Sequence, residues 1–362
     1  MMYNCNNHKT IFSHNKGVPV ANSIHHSNSI YNYFKSLKLG LFLSDVYLNH
    51  LMIIMVSVFL RGYRGKTIDF AEVSCMHRTT TAYFLNHGKW DDSALQDILK
   101  VRVIHTIYQE AYRSGKPIFC IVDDTIASKT KPSSQAMHPI EDAYFHQSHL
   151  KRKQDYDHQA VAVMLSCNGI VLNYAFVLYN KSISKIDIVQ NIAKELPEPP
   201  VMSYFLCDCW YVSEKIINTF VQKGFHTIGA LKTNRLLYPS GMKKKLSELA
   251  AELSVTEKGF DPVTVKNRKY YVCRWTIGVF FRQCKTRLAL DTYQIRSSKG
   301  IQRYWLLMSM AHYICVISTG QYQSFQEGYQ LIRSTIQQEK YQYLFQCAKS
   351  CVDFEAFMKL AG

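Results

Sequence analysis

The chain has 362 residues, 47% of them hydrophobic, which is enough to bury a large core, most simply as one large domain with a smaller one. It carries 43 Lys and Arg against 27 Asp and Glu, a formal net charge of +16. This excess indicates a polyanionic partner such as nucleic acid, although a generically basic protein has the same composition. The 11 cysteines include no CxxC pair, so their spacing argues against a zinc knuckle and is typical of reduced cysteines in a cytoplasmic protein.

The N-terminal part of the chain is predicted to be a loose tail followed by helices. Residues 1–27 are rich in Asn, His and Ser, and they have neither periodicity nor the apolar segment of a signal peptide. Residues 28–115 have a helical pattern. Their most apolar run, Leu51–Leu60, is too short to span a bilayer and predicts a buried helix, so we expect no membrane contact. Short helices around Ile68–Val73 and Thr79–Leu85 are typical of a helix-turn-helix DNA-binding domain, and an ordinary helical bundle would give the same pattern.

The pattern changes to alternating strands and helices at residue 116. The predicted elements are a strand over 117–125, a hairpin over 157–179 around Asn168-Gly169, a helix over 184–196, a strand over 200–208, a helix over Val212–Lys223 and a strand over 226–232. Such an order predicts an α/β fold, with a mixed sheet flanked by helices over 116–320. A helical C-terminal segment over 321–362 follows.

Two aspartates come at the ends of buried strands. Asp123 is the first of the two acids near the end of "PIFCIVDDT", and Asp208 is the last residue of "PVMSYFLCD". Strand ends are where ligands gather in such sheets, and two carboxylates in a basic protein suggest Mg²⁺ with a phosphodiester substrate. Each aspartate alone is as well explained as a turn or a helix cap. Whether Asp123 or the adjacent Asp124 is the first ligand is left open.

A resemblance to a known family depends on three motifs, which are "DDT", "CDCWY" and "YYVCRWTIGVFFRQCK". Together they resemble the DDE transposases of bacterial insertion sequences, of the insertion-sequence-four type. That family carries a signature helix with Tyr, Arg, Glu and Lys at fixed spacing. Tyr271, Arg274 and Lys285 match it, and Gly278 occupies the position of the glutamate. The resemblance covers residues 30 to 345.

The resemblance implies a fold, a mechanism and partners. The fold would be RNase H-like, and the site would hold two Mg²⁺ or Mn²⁺ ions about 4 Å apart between Asp123, Asp208 and the third carboxylate. Tyr271, Arg274 and Lys285 would bind phosphate beside the cleaved bond. The partners would be double-stranded DNA, at the element's terminal repeats and at the target, and a second copy of the chain. The location would be the bacterial cytoplasm, at the nucleoid.

Gly278 offers no metal ligand, and three interpretations of it are open. On a helix, positions 274, 278 and 285 fall within about 40° of one another, beside an apolar stripe of Ile277, Phe281, Cys284 and Leu288. The chain has lost its third ligand and is inactive, or another acid such as Asp291 or Glu257 replaces it, or this helix is misassigned. The β segment expected before the helix is also shortened, around 240–272, which favours a damaged copy.

Several basic residues are candidate DNA contacts. A predicted polar loop between Asp124 and Asp157 contains Lys129 and Lys131, and Trp210 either supports the turn after Asp208 or contacts DNA. Clusters of this kind are often only solvated charges. The candidates in the loop and after the last predicted strand are Lys151, Arg152, Lys153, Lys232, Asn234 and Arg235.

Two classes of function are compatible with these features. One is a metal-dependent transposase that cuts element ends and joins them to target DNA. The other is a DNA-binding protein without catalysis that regulates transposition. A third and less favoured class is an RNase H-like nuclease that acts outside transposition, because such nucleases do not need the signature helix.

Overall fold

The structure is a computed structural model that describes residues 27–60, 62–74, 76–137, 139–148, 153–230, 236–237, 241–245, 248, 276–318, 324–349 and 353–355. The chain divides into two compact units. One combines Met1–Val101, Lys129–Glu141 and Gln283–Gly362, and the other combines Arg102–Ser128 and Asp142–Arg282. The domain boundaries expected from the sequence, at 27/28, 115/116 and 320/321, stay predictions.

Helices form the first unit in the described part of the chain. They are α1 (Asn28–Ser36), a 3₁₀ turn (Leu39–Leu41), α2 (Asp45–Phe59), α3 (Thr67–Ser74), α4 (Arg78–His87), the first part of α5 (Asp92–Ser114), the last residues of α8 (276–287), α9 (Ser298–Ile317) and α10 (Phe325–Lys349). α2 is buried almost along its whole length, which confirms the buried helix predicted from the apolar run. α3 and α4 coincide with the two predicted short helices.

A buried arginine closes the C-terminal end of α4. The guanidinium of Arg303, on α9, is 1% exposed and makes an ion pair with Asp92 at 2.7 Å. Carbonyl groups at the end of a helix lack intrahelical donors, and the guanidinium supplies those donors here. It donates to the carbonyl oxygens of Phe84 (3.3 Å), Leu85 (3.2 Å), Gly88 (2.8 Å) and Trp90 (3.1 Å).

The second unit is built on a mixed sheet, as predicted. Its strands are β1 (Phe119–Ser128), β2 (Tyr144–Ser148), β3 (Lys153–Cys167), β4 (Ile170–Tyr179), β5 (Ser203–Cys207) and β6 (Phe225–Gly229), with helices α6 (Lys185–Glu195) and α7 (Glu214–Gln222). The strand order is β2-β3-β1-β5-β6, and β4 also pairs with β3. β1, β5 and β6 are parallel, whereas β2, β3 and β4 pair antiparallel. This six-stranded order among the described residues is consistent with an RNase H-like fold. A short separate pair is formed by β7 (Leu236–Leu237) and β8 (Lys244–Lys245).

Two strand predictions need correction. β1 does not end at the acids but runs through them to Ser128, because β3 pairs with it as far as Ser128 opposite Asp157. The predicted polar loop between Asp124 and Asp157 contains β2 and the start of β3, which pair with each other. The sequence pattern missed both because these polar strand residues have no alternating apolar face.

The hairpin prediction is confirmed. Asn168 and Gly169 separate β3 from β4, and both have positive φ angles, 48° and 87°. A two-residue turn that matches the twist of the strands requires this conformation, and an Asn-Gly pair adopts it at low cost.

No helix in the described ranges is long and apolar enough to cross a membrane.

Candidate active site

Asp123 and Asp208 lie on one face of the sheet. In the parallel β1–β5 pair, Ile121 is opposite Leu206, and side chains of paired residues project to the same face. Two residues further along, Asp123 comes opposite Asp208, which directly follows β5. Both carboxylates are half-buried. The structure therefore brings the two predicted acids together.

The helix that carries Gly278 packs on this same face. Asp123 pairs with Ala162 of β3, and Ala162 pairs with Phe176 of β4, so Phe176 projects to the face of Asp123. The ring of Phe176 contacts that of Phe280 on α8 edge-on, with 6.2 Å between centroids. α8 therefore covers the face that carries the two acids.

Backbone N–H groups orient both carboxylates. The N–H of Asp124 donates to Asp123 Oδ1 at 2.9 Å, and the N–H of Trp210 donates to Asp208 Oδ1 at 3.0 Å. A hydrogen bond to one oxygen restricts the rotation of a carboxylate. Each aspartate is thus held in a fixed orientation by the backbone next to it.

Asp124 has a different environment from Asp123. Successive strand residues project to opposite faces, so Asp124 lies on the face away from Asp123 and Phe176. Its Oδ2 accepts a hydrogen bond from the ammonium of Lys185, and the Tyr211 hydroxyl lies 3.5 Å from its Oδ1. These contacts occupy the Asp124 carboxylate and favour Asp123 as the acid on the face of Asp208.

Tyr211 lies among all three carboxylates. Its side chain is 1% exposed. Burial raises the pKa of this phenol, and the negative charges of Asp124, Asp123 and Asp208 raise it further. The hydroxyl therefore stays protonated and acts as a hydrogen-bond donor. The "CDCWY" motif contains this tyrosine, but nothing in the sequence assigned it a role.

A histidine and an aspartate extend the polar cluster towards the edge of the sheet. His146 Nδ1 lies 2.8 Å from Oδ2 of Asp157, a buried carboxylate on β3. Burial lowers the pKa of His146, and Lys185 lowers it further, against the opposing effects of Asp155 and Asp124. His146 and Lys185 have no motif around them, so sequence reasoning did not find them.

Gly278 leaves open space on α8. Residues 276–287 are helical, and the predicted apolar stripe of Ile277, Phe281, Cys284 and Leu288 is buried. Among the described residues, a Cβ added at Gly278 would meet no neighbouring atom within 4 Å. Lys285 lies seven residues further along, which is close to two helical turns, and is half-buried. Tyr271 and Arg274 lie outside the described residues.

The carboxylate oxygens of Asp123 and Asp208 are suitable ligands for one hard cation. Two carboxylates are typical protein ligands of Mg²⁺, which keeps several waters and completes its shell with substrate phosphates. Within the described ranges, no group of three or more His, Cys, Asp or Glu side chains is placed to hold a metal ion. Glu257 lies outside those ranges, and Asp291 belongs to the other compact unit. The predicted second ion has no protein ligand at position 278.

The structure separates the candidate DNA contacts. Lys153 is exposed at the start of β3, and the indole of Trp210 is 63% exposed. Lys129 is not available to DNA, because its ammonium donates to the carbonyl oxygens of Asp291 and Tyr293 at 2.8 and 2.9 Å. Burial lowers its pKa to about 8. Lys151, Arg152, Lys232, Asn234 and Arg235 lie outside the described residues.

Comparison with known proteins gives one family. A family model described as a transposase DDE domain matches residues 114–314, a range that contains Asp123, Asp208 and Gly278. A comparison with curated protein sequences finds no match.

Proposed function

Since the chain belongs to the transposase DDE domain family, whose activity is DNA cleavage and transfer, we propose that it acts on the ends of a bacterial insertion sequence. Its reaction would be metal-dependent strand cleavage followed by transfer to target DNA. The observation that carries this proposal is the placement of Asp123 and Asp208 on the face covered by α8. We assign it to the insertion-sequence-four type, from the spacing of Tyr271, Arg274 and Lys285.

The chain's own residues would bind the cation and the substrate. Asp123 and Asp208 would hold Mg²⁺ or Mn²⁺ through their carboxylates, which the backbone N–H groups orient. A bound ion would supply Lewis-acid stabilisation of charge at the phosphate and lower the pKa of an attacking water. Arg274 and Lys285 would bind the phosphates beside the cleaved bond, with Tyr271 next to them.

Other surfaces would hold the DNA. The exposed residues of α4 include Arg78, Thr79, Thr80 and Tyr83, which present donors and a cation on the second helix of a helix-turn-helix pair. Lys153 and its neighbours Lys151 and Arg152 would contact the DNA backbone, as would Lys232, Asn234 and Arg235. Two copies of the chain would bring two element ends together at the nucleoid.

The missing carboxylate at position 278 would make this chain inactive in cleavage while it still binds DNA. Charge stabilisation by a metal ion contributes several kcal/mol to phosphoryl transfer, so losing one ion would slow the reaction at least about 100-fold. This favours a second candidate function, a DNA-binding regulator that occupies element ends without cutting them. Its supporting observation is that Gly278 offers no donor on the face of the two acids.

Strand cleavage on DNA that carries the element's own ends tests these functions. We expect the native chain to bind this DNA without cutting it in Mg²⁺ or Mn²⁺, and Gly278→Glu to cut it. Gly278→Gln is the matched control, since it has the same size without the charge and should not cut. Adding Asp208→Ala to Gly278→Glu should abolish cleavage again.

Two results would contradict the interpretation that Gly278 is what makes this chain inactive. Cleavage by the native chain that disappears in Asp208→Ala would mean that another ligand completes the site. DNA binding by every variant with no cleavage by any would favour the regulator and point to the shortened segment before Tyr271.

A further inference from the structure

We propose that Asp124, Lys185 and Tyr211 form a positioning network that ties the turn after Asp208 to β1, so that Asp123 and Asp208 present their carboxylates to one cation. The inference rests on the proposed metal site and adds residues that do not themselves bind the metal.

Asp124 is the centre of the network on the side of β1. Its backbone N–H donates to Asp123 Oδ1 at 2.9 Å, so the position of this residue sets the orientation of the first ligand. Its own carboxylate binds Lys185 and lies 3.5 Å from the hydroxyl of Tyr211. Asp124 therefore acts on the metal site through Asp123 and not as a ligand.

Tyr211 connects Asp124 to the second ligand. It is three residues after Asp208, and its backbone N–H donates to the carbonyl oxygen of Asp208 at 3.3 Å. Backbone pairing between β1 and β5 ends at Ile121 and Leu206, before either ligand is reached. The buried Tyr211 side chain links the two segments beyond that point, where a loose turn would let the carboxylates separate.

Lys185 completes the network from the start of α6. Its position is fixed because Ser184 caps the helix by accepting the N–H of Asp187, and its ammonium lies 5.2 Å from the ring centre of Tyr179. The ion pair holds the Asp124 carboxylate in place, and with it the backbone N–H that orients Asp123.

Binding of Mn²⁺ to the full chain tests the network without requiring cleavage. The dissociation constant is measured from the electron paramagnetic resonance signal of free Mn²⁺, for the native chain and in a Gly278→Glu background. We expect Tyr211→Phe, which removes only a hydroxyl, to weaken binding about 10-fold or more, the usual effect of losing a residue that orients a metal ligand. Tyr204→Phe is the matched control, since Tyr204 lies at the opposite end of β5, stacked on Phe119 at 5.8 Å, and it should bind as the native chain does.

Substitution of Lys185 separates positioning from simple charge. Removing a positive charge near a cation site should strengthen Mn²⁺ binding if only electrostatics acts. The network predicts the opposite, weaker binding by Lys185→Met and recovery in Lys185→Arg. Thermal unfolding without metal shows whether each variant retains its fold. If Tyr211→Phe is unfolded, the Mn²⁺ affinities of Lys185→Met and Lys185→Arg test the network in its place.

The outcomes distinguish this inference from the function it rests on. Native Mn²⁺ binding that depends on Asp208, together with native-like affinity in Tyr211→Phe or tighter binding in Lys185→Met, would overturn the network and leave the metal site standing. Absence of any Asp208-dependent Mn²⁺ binding, with or without Gly278→Glu, would overturn both.

Discussion

Replacing Gly278 by alanine should stabilise the protein. Glycine in a helix interior is about 1 kcal/mol less favourable than alanine, because its backbone loses more conformational freedom on folding. An added methyl group would meet no atom of the described part of the chain within 4 Å, so no steric cost from these residues offsets this gain. We therefore expect Gly278→Ala to raise the free energy of unfolding by about 1 kcal/mol, which corresponds to a melting temperature about 2–4 °C higher for a unit of 150–250 residues.

Urea denaturation followed by circular dichroism measures this change. Gly328→Ala is the matched control, since Gly328 is also helical, as the fourth residue of α10, but its added Cβ would lie 1.7 Å from the carbonyl oxygen of Cys315. Propensity alone predicts the same gain at both positions, whereas the packing predicts a loss of about 1–3 kcal/mol or more at Gly328.

A lower free energy of unfolding in Gly278→Ala would refute the reasoning. It would mean that the space beside position 278 is occupied and that a glutamate cannot enter without displacing its neighbours. A higher free energy of unfolding would mean that the glycine lowers stability in addition to providing no metal ligand. It would also mean that a side chain fits at position 278, so that Gly278→Glu is a fair test of catalysis.

Three further predictions concern stability. Arg303→Met should lower the free energy of unfolding by about 3–5 kcal/mol in urea, because it leaves Asp92 and four carbonyl groups without their buried cation, while the exposed Lys299→Met on the same helix should change it little. For Lys129, burial lowers the folded pKa to about 8 from the ordinary lysine value of 10.5, so the unfolded chain binds more protons between these pH values. The free energy of unfolding of the native chain should therefore rise relative to Lys129→Met from pH 8 to 10.5, and a constant or falling difference would contradict the burial of this ammonium. Gly169→Ala should lower the melting temperature, with a cost of about 1 kcal/mol or more, because φ of 87° is unfavourable for any residue with a Cβ; an unchanged midpoint would argue against this turn geometry.

The sequence alone determined the elements whose signals are local. The apolar run of α2 predicts a buried helix because its residues are apolar on every side of the helix. Asn168-Gly169 predicts a hairpin because few dipeptides tolerate two positive φ angles. The acids Asp123 and Asp208 could be identified because a polar pair after two apolar strands is visible without knowing how the strands pair. The open position at Gly278 was recognised from the resemblance to the family's signature helix.

Only the tertiary structure decided which face each acid occupies and what holds it there. Asp123 and Asp124 are neighbours in the chain, but the register of β1 with β3 and β5 places them on opposite faces. The partner of Asp124 is 61 residues away in Lys185, and no periodicity encodes a contact at that separation. Lys129 was a candidate DNA contact from its sequence, and it is a half-buried donor in the structure because two carbonyl groups more than 160 positions away bind its ammonium. Local patterns report which residues need burial or a cap, whereas the pairing of buried polar groups is set by the contacts that close the fold.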